Sequence, residues 1–562
     1  MTPQETIAAM GAPIGSASSN TRKNQTMEGL LRKRWARVLV PSLSDLFFLA
    51  TMCWLFMGAA GWLALLADAD VGWHIRTGEY ILKHHAVPYR DLYSFSKPGA
   101  PWFAWEWLSD LIDAALFRIA GLKGVVLAAG MTIALFATTL VRRVTRLNVN
   151  PFAALFVALV GVGSASMHFL ARPHVFTLLL VSVSMWMIET DRDGSGPKKR
   201  IFWLIPIVLV WTNLHGGFLA ILAVLGLTAV GSAIEEWIAA RNMAGVREKT
   251  TRSSFPQTVR ELNWSKPARY GILTAACAAV SLVNPYGWGL HQHILEYLRS
   301  DWIRNVIQEF QSPSFRSENM LQFEALLFVG LMTAGALFRR RRVAEGLWIL
   351  LFAYLSLSSV RHAPVFVAVT LPLIAAEVAS WWQAFTQAAP KGSLRGILNQ
   401  MAADSAAGFR RSSVWPAVFV LALMVTGKPI RWPTDFPTEL FPVHMIHAHE
   451  AEIVRSRVLT TDQWGDYLIY LNPERQKVFV DGRSDFYGSK VGNEYIHLLN
   501  GGWDWEQVIS KYQFNLALLP VEQPLVQLLK QRAEWRVVQD DGKHILFVLR
   551  DTASPASAKR GL

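Results

Sequence analysis

Residues 43–70 read LSDLFFLATMCWLFMGAAGWLALLADAD, an apolar run from Leu43 to Leu66 that stops at Asp68-Ala69-Asp70. Crossing ~30 Å of hydrocarbon takes ~20 predominantly apolar residues. The run is long enough to do so, and its two carboxylates fall where the membrane meets water. Runs of the same character recur at 121–141, 151–167, 173–189, 201–214, 217–237, 269–285, 321–338, 344–359, 363–382 and 413–428. They predict a polytopic α-helical membrane protein with about 11 transmembrane helices. The composition agrees: 52% of the residues are hydrophobic, more than soluble chains of this length usually carry.

The loop charges orient these spans. Residues 1–40 are polar and end in Arg32-Lys33-Arg34 and Arg37. They read as a disordered cytoplasmic tail, and the run behind them is too long for a cleavable signal. Arg142, Arg143 and Arg146 follow the second run, and Lys198-Lys199-Arg200 the fourth. A basic stretch from Arg241 to Arg269 follows the sixth, Arg339 to Arg342 the eighth, and Lys391, Arg395, Arg410 and Arg411 the tenth. All share a side with the N-terminus, which the positive-inside rule makes the cytoplasm. The net charge of +13 is thereby explained without a nucleic-acid partner. The domains expected are the tail, a transmembrane domain over 41–428 with a first periplasmic loop over 67–120, and a periplasmic α/β domain over 429–562. The setting expected is a bacterial inner membrane. Cys53 and Cys277 both lie inside apolar runs, so no disulfide is expected.

The opposite face differs in chemistry. Its short turns are Arg172-Pro173-His174, Asn213-Leu214-His215-Gly216-Gly217, Asn284-Pro285-Tyr286-Gly287 and Val360-Arg361-His362-Ala363-Pro364. Loops over 67–120 and 286–320 complete it. Ionisable groups at membrane helix ends are costly unless paired or wetted. Four polar turns on one face, nearly free of acids, predict a cationic cavity.

In the first loop, Trp73 to His85 has the mixture of an interfacial helix, stopped by Ala86-Val87-Pro88. A second helix is expected over Trp102 to Ile119. Glu106, Asp110 and Asp113 there lie at i, i+4 and i+7, on one face. The carboxylates of Asp68 and Asp70, one residue apart at a membrane surface, suit one chemistry in particular. One takes a proton from an acceptor hydroxyl while its partner holds a divalent cation.

These residues resemble the GT-C superfamily of integral-membrane glycosyltransferases, above all the branch of protein O-mannosyltransferases and the lipid A aminoarabinose transferase. The matching elements are Asp68 or Asp70, Val87-Pro88, Lys97-Pro98, and Glu106 between Trp105 and Trp107. The middle spans match in layout, and the four turns are similar to those of an uncharacterised bacterial subgroup. That branch often has Asp-Glu where this chain has Asp-Ala-Asp, which leaves open which aspartate is the base. The resemblance implies a polyprenyl-phosphate sugar as donor and a lipid, glycan or protein hydroxyl as acceptor. Transfer would invert the anomeric carbon. It further implies Asp68, Asp70 and Glu106 as catalytic groups, with Mg or Mn at Asp68 and Asp70 in the members that use a metal. Arg172, His174, His215, Arg361 and His362 are the candidates to hold the departing phosphate, since cations stabilise charge on a leaving group.

Beyond residue 429, short apolar runs alternate with helical patterns, which predicts a small α/β domain. Strands are expected over 457–460, 478–480, 516–519, 535–538 and 545–549. Gln463-Trp464-Gly465-Asp466-Tyr467 is loosely similar to the acceptor motif of oligosaccharyltransferases, in a different order. Trp464 and Asp466, with Arg483 and Asp485 of the turn Asp481-Gly482-Arg483-Ser484-Asp485, are therefore candidate acceptor contacts. Competing readings are a transporter or flippase of lipid-linked sugars, an O-antigen ligase or polymerase, and a non-catalytic envelope assembly protein. A transporter predicts internal repeats and midplane charges, and neither is visible.

Overall fold

The computed structural model describes residues 38–147, 149–247, 264–316, 318–386, 390, 392–405, 412–425 and 430–550. The tail over 1–37, most of the basic loop after the sixth run and the end of the eleventh run lie outside the described residues. A helix overlaps each of the eleven apolar runs. In order, with the surface helices between them, these are α1 (Leu43–Met57), α2 (Asp70–His84), α3 (Trp107–Arg146), α4 (Pro151–Ala165), α5 (His174–Arg192), α6 (Leu204–Leu214) and α7 (Leu219–Arg247). Then follow α8 (Ser265–Val280), α9 (Trp288–Arg299), α10 (Asp301–Val306), α11 (Glu318–Arg339), α12 (Val343–Ser358), α13 (Ala363–Thr386), α14 (Leu394–Ser405) and α15 (Trp415–Val425). Among the described residues, five segments are long and apolar enough to cross a membrane: Trp107–Arg146, Pro151–His168, Gly216–Asn242, Met320–Arg339 and Val360–Thr386.

Three expectations are corrected. The first run is not one helix: α1 ends at Gly58, and a 3-10 turn over Gly61–Leu66 re-aims the chain. Gly61 takes φ +53° there, a conformation that suits glycine. The second loop helix begins at Trp107 rather than Trp102, because 101–104 is extended and the Trp102 N–H donates to the Tyr89 carbonyl at 3.0 Å. That helix also does not stop at Ile119. It breaks at Ala120–Gly121 and runs on as the second span to Arg146.

Arg143 consequently lies inside the bundle rather than in a loop. Pro372 interrupts α13, and with no N–H it leaves the Ala368 carbonyl without its helical donor. The Arg143 guanidinium donates to that carbonyl through Nη1. It also grips Glu189, through Nη2 at 2.6 Å and Nε at 3.2 Å. One fully buried side chain thus repairs a proline kink and is itself neutralised. Other basic groups on this face are paired in the same way, Arg192 with Glu345 at 3.0 Å and Arg340 with Glu377 at 2.7 Å.

The far domain contains α16 (Val443–Ala448), α17 (Glu450–Ile453), β1 (Val458–Leu459), α18 (Asp462–Leu471), α19 (Ser484–Leu499), α20 (Trp505–Tyr512), β2 (Leu516–Pro520), α21 (Pro524–Lys530), β3 (Trp535–Asp540) and β4 (His544–Leu549). The sheet order is β1-β2-β4-β3, with β1 parallel to β2 and the other pairs antiparallel. The expected strand over 478–480 is absent from it. Val478 bonds instead to the first loop, donating to the Tyr93 carbonyl and accepting from the Phe95 N–H, both at 2.9 Å.

The domain therefore clamps the loop. Arg76 Nε donates to the Tyr470 carbonyl at 2.6 Å, and the Ala69 N–H to Gln463 Oε1 at 2.8 Å. Beneath, α2 lies against α3 so closely that a Cβ at Gly78 would meet the Asp110 carbonyl at 1.9 Å. The acidic start of α2 is held from both sides.

Candidate active site

The end of the first span and the Arg172 turn are joined by backbone: the Ala171 N–H donates to the Leu65 carbonyl at 2.8 Å. That bond delivers Arg172 to the acidic pair. Its Nη1 lies 2.7 Å from Asp68 Oδ2 and its Nη2 2.5 Å from Asp70 Oδ2, a forked grip on two carboxylates. A third, Glu309 Oε1, lies 3.2 Å from Nη1. Arg172, expected at the donor phosphate, is thus shared among three acids.

The two aspartates are not equivalent. The Asp68 side chain is 17% exposed and that of Asp70 4%. Asp68 Oδ1 accepts the Asp70 N–H at 2.9 Å. Asp70 is the first residue of α2, where the helix end favours an anion. Its Oδ1 is buried and faces Asp466 across Gly482, where a Cβ would fall 1.9 Å from Asp70 Oδ1 and 2.9 Å from Asp466 Oδ2. Burial raises Asp70 well above the usual carboxylate range, against the pull of Arg172. Burial, and then the nearness of Asp70, do the same to Asp466.

Glu106 precedes α3 and sits between two imidazoles, with His74 Nε2 at 3.7 Å and His215 Nε2 at 3.5 Å. Asp110 orients His74 by a 2.6 Å contact to Nδ1. His215 is set by its turn: the Gly217 N–H donates to Nδ1 at 3.0 Å, so in the neutral ring the proton is on Nε2 and faces Glu106. Burial first, then the Arg172, His215 and His174 charges, hold His74 well below the ordinary histidine value.

Burial raises the Glu106 carboxyl from 4.5 to about 8, more than Arg172 lowers it. The folded state therefore keeps a proton that the unfolded chain releases. This stabilisation is complete below 4.5 and is lost as pH rises through about 8. Its slope is at most about 1.4 kcal/mol per pH unit. The melting temperature should accordingly fall across that window more steeply for the wild type than for Glu106→Gln. Parallel curves would contradict the assignment.

The other turns divide by role. His174 Nε2 donates to the His168 carbonyl at 2.5 Å. Arg361 stacks on the Phe310 ring at 4.3 Å and, among the described residues, has no carboxylate within 4.0 Å. His362 follows it on the same 3-10 turn, with its Nδ1 buried. The Asn-Pro-Tyr-Gly turn positions the first loop: Tyr286 Oη donates to the Pro88 carbonyl at 3.1 Å and accepts the Ala104 N–H at 2.7 Å.

Among the candidate acceptor residues, Asp466 accepts the Gly482 N–H next to Arg483, at 3.0 and 3.1 Å. The indole of Trp464 is buried and donates to the Leu440 carbonyl at 3.1 Å. Arg483 is enclosed, bonding Asp481 through Nε at 2.8 Å and Nη2 at 2.6 Å and Asp91 at 2.9 Å, so that it ties loop to domain. Asp485 is the most open of the four, 2.9 Å from His293, whose ring stacks on Phe103 at 4.4 Å. Among the described residues no group of three His, Cys, Asp or Glu is placed to hold a metal ion; Asp68 and Asp70, the expected ligands, each turn an oxygen to Arg172.

Sequence reasoning missed Glu309, His74 and the pairing of Asp70 with Asp466. Glu309 is one of several acids in its loop, and His74 is embedded in an ordinary amphipathic helix, so neither carries a local signal.

No family model and no curated protein matches the sequence. Among solved structures, the archaeal oligosaccharyltransferase AglB from Archaeoglobus fulgidus, in complex with an inhibitory peptide and a dolichol-phosphate, is similar over 96% of this chain and 76% of its own, at 13% identity and TM-score 0.49. ArnT from Cupriavidus metallidurans bound to undecaprenyl phosphate is similar over 90% and 98%, at 13% identity and TM-score 0.42. Both neighbours are GT-C membrane glycosyltransferases.

Proposed function

We propose that this protein transfers a sugar from a polyprenyl-phosphate donor to an acceptor hydroxyl of a lipid, glycan or protein. The reaction would take place on the membrane face opposite the basic loops, in a bacterial inner membrane. The observation that carries the reading is the forked contact of Arg172 with Asp68 and Asp70 at the head of α2, with Arg361, which has no ion pair among the described residues, on the ring of Phe310 next to Glu309. It brings a proton acceptor and cations for a leaving phosphate to one membrane boundary.

Asp68, the more exposed aspartate, takes the proton of the acceptor hydroxyl. That oxygen attacks the anomeric carbon, and the bond to the phosphate oxygen breaks with its electrons on the phosphate. The guanidiniums stabilise that charge. A single displacement inverts the anomeric carbon. Glu106, uncharged at neutral pH, lies between His74 and His215 and adds no negative charge beside the phosphate.

The test is purified protein in lipid, offered a panel of polyprenyl-phosphate sugars with and without Mg or Mn, beside Asp68→Ala and Asp70→Ala. Sugar transfer that either substitution abolishes supports the reading. Saturable binding of a lipid-linked sugar with no turnover of any donor would favour a carrier instead.

A further inference from the structure

Glu309 lies in a one-turn 3-10 helix, Gln308–Phe310, of the second outside loop. We infer that it occupies the anion position of the free site, and that the donor's phosphate binds Arg172 and Arg361 by displacing its carboxylate. This deepens the glycosyltransferase reading and rests on it.

The three acids on Arg172 differ in how firmly they are held. Asp70 and Asp68 make the short contacts, at 2.5 and 2.7 Å, and Glu309 the long one, at 3.2 Å. Asp68 also accepts the Asp70 N–H, and Asp70 is wedged against Asp466. The Glu309 carboxylate has no other hydrogen-bond partner among the described residues. Its side chain is 31% exposed, the most of the three. An incoming phosphate therefore meets least resistance at Glu309.

The surroundings suit an exchange of anions. Arg361 lies beside the next residue, Phe310, free of any ion pair among the described residues. Burial alone would raise the Glu309 carboxyl, but Arg172 and Arg361 outweigh it and hold it down to about 2. It is thus an anion at every physiological pH, neutralising the cavity until a phosphate does so.

The backbone around it is pinned. Ser359 Oγ donates to the Glu309 carbonyl and the Val360 N–H to the Gln311 carbonyl, both at 2.9 Å. Upstream, Trp302 packs on Gly492 so tightly that a Cβ there would lie 2.0 Å from the indole. Rotation of the side chain alone can release Arg172, and the loop stays in place.

The experiment is titration of the full chain in detergent with undecaprenyl phosphate, reading tryptophan fluorescence, for the wild type, Glu309→Gln and Arg361→Ala. Melting curves confirm that each is folded. Glu309→Gln keeps shape and removes the competing charge, so its Kd should fall about tenfold. Arg361→Ala should bind more weakly than the wild type. Wild-type binding with an unchanged or weakened Glu309→Gln overturns the inference and leaves the proposed function standing. Absence of binding by every form, the wild type included, overturns the proposed function and the inference with it.

Discussion

Replacing Arg172 with alanine is expected to lower transfer by about two to three orders of magnitude, the usual effect of removing one group that stabilises charge in a transition state. The geometry gives two reasons. The guanidinium is the cation nearest the acidic pair, and its loss leaves Asp68, Asp70 and Glu309 as unshielded neighbours. Their repulsion would disorder the start of α2. Lysine retains the charge but not the fork, so Arg172→Lys should fall between alanine and wild type. The measurement is the initial rate of transfer, read with a melting curve so that loss of chemistry is separated from loss of fold. An alanine variant that is folded and transfers at the wild-type rate removes Arg172 from the mechanism.

The second large effect lies at the other end of the bundle. Arg143→Ala should destabilise the protein by up to about 3–5 kcal/mol, since breaking a buried ion pair leaves Glu189 only the more distant Arg146, at 3.6 Å. Glu189 would lose its bidentate partner, and the Ala368 carbonyl freed by Pro372 would lose its donor. Substituting both partners with methionine should cost less, because no lone charge remains. The carbonyl would still be orphaned, so the double variant should not recover fully. Thermal unfolding in detergent checks both. An Arg143→Ala protein as stable as the wild type would mean that water replaces the guanidinium.

What the sequence made legible was whatever has a period or a length. The apolar runs located helices, and the composition beyond 429 located a stretch of mixed sheet and helix. Composition at helix ends picked out Arg172 and Arg361, which the Glu309–Phe310 turn brings near each other. Partnership was not legible. The run at 478–480 has a strand's composition but spends its hydrogen bonds on the first loop. Arg143 looks like a loop charge until the proline more than two hundred residues downstream is set beside it. Arg483 and Trp464 look available for contact, yet Arg483 Nη2 is bonded to Asp91 and the Trp464 indole to the Leu440 carbonyl, both inside the protein. Asp466 looks like an acceptor contact, and it faces Asp70. Each of these depends on which distant atoms arrive together, and nothing local encodes that.

The most direct test of the central claim is a single-turnover experiment with a labelled polyprenyl-phosphate sugar, comparing the wild type with Asp68→Asn and reading the anomeric configuration of the product. The account predicts an inverted product from the wild type and a rate about a hundred- to ten-thousandfold lower for Asp68→Asn. Retention of configuration, or an asparagine variant as fast as the wild type, would contradict it.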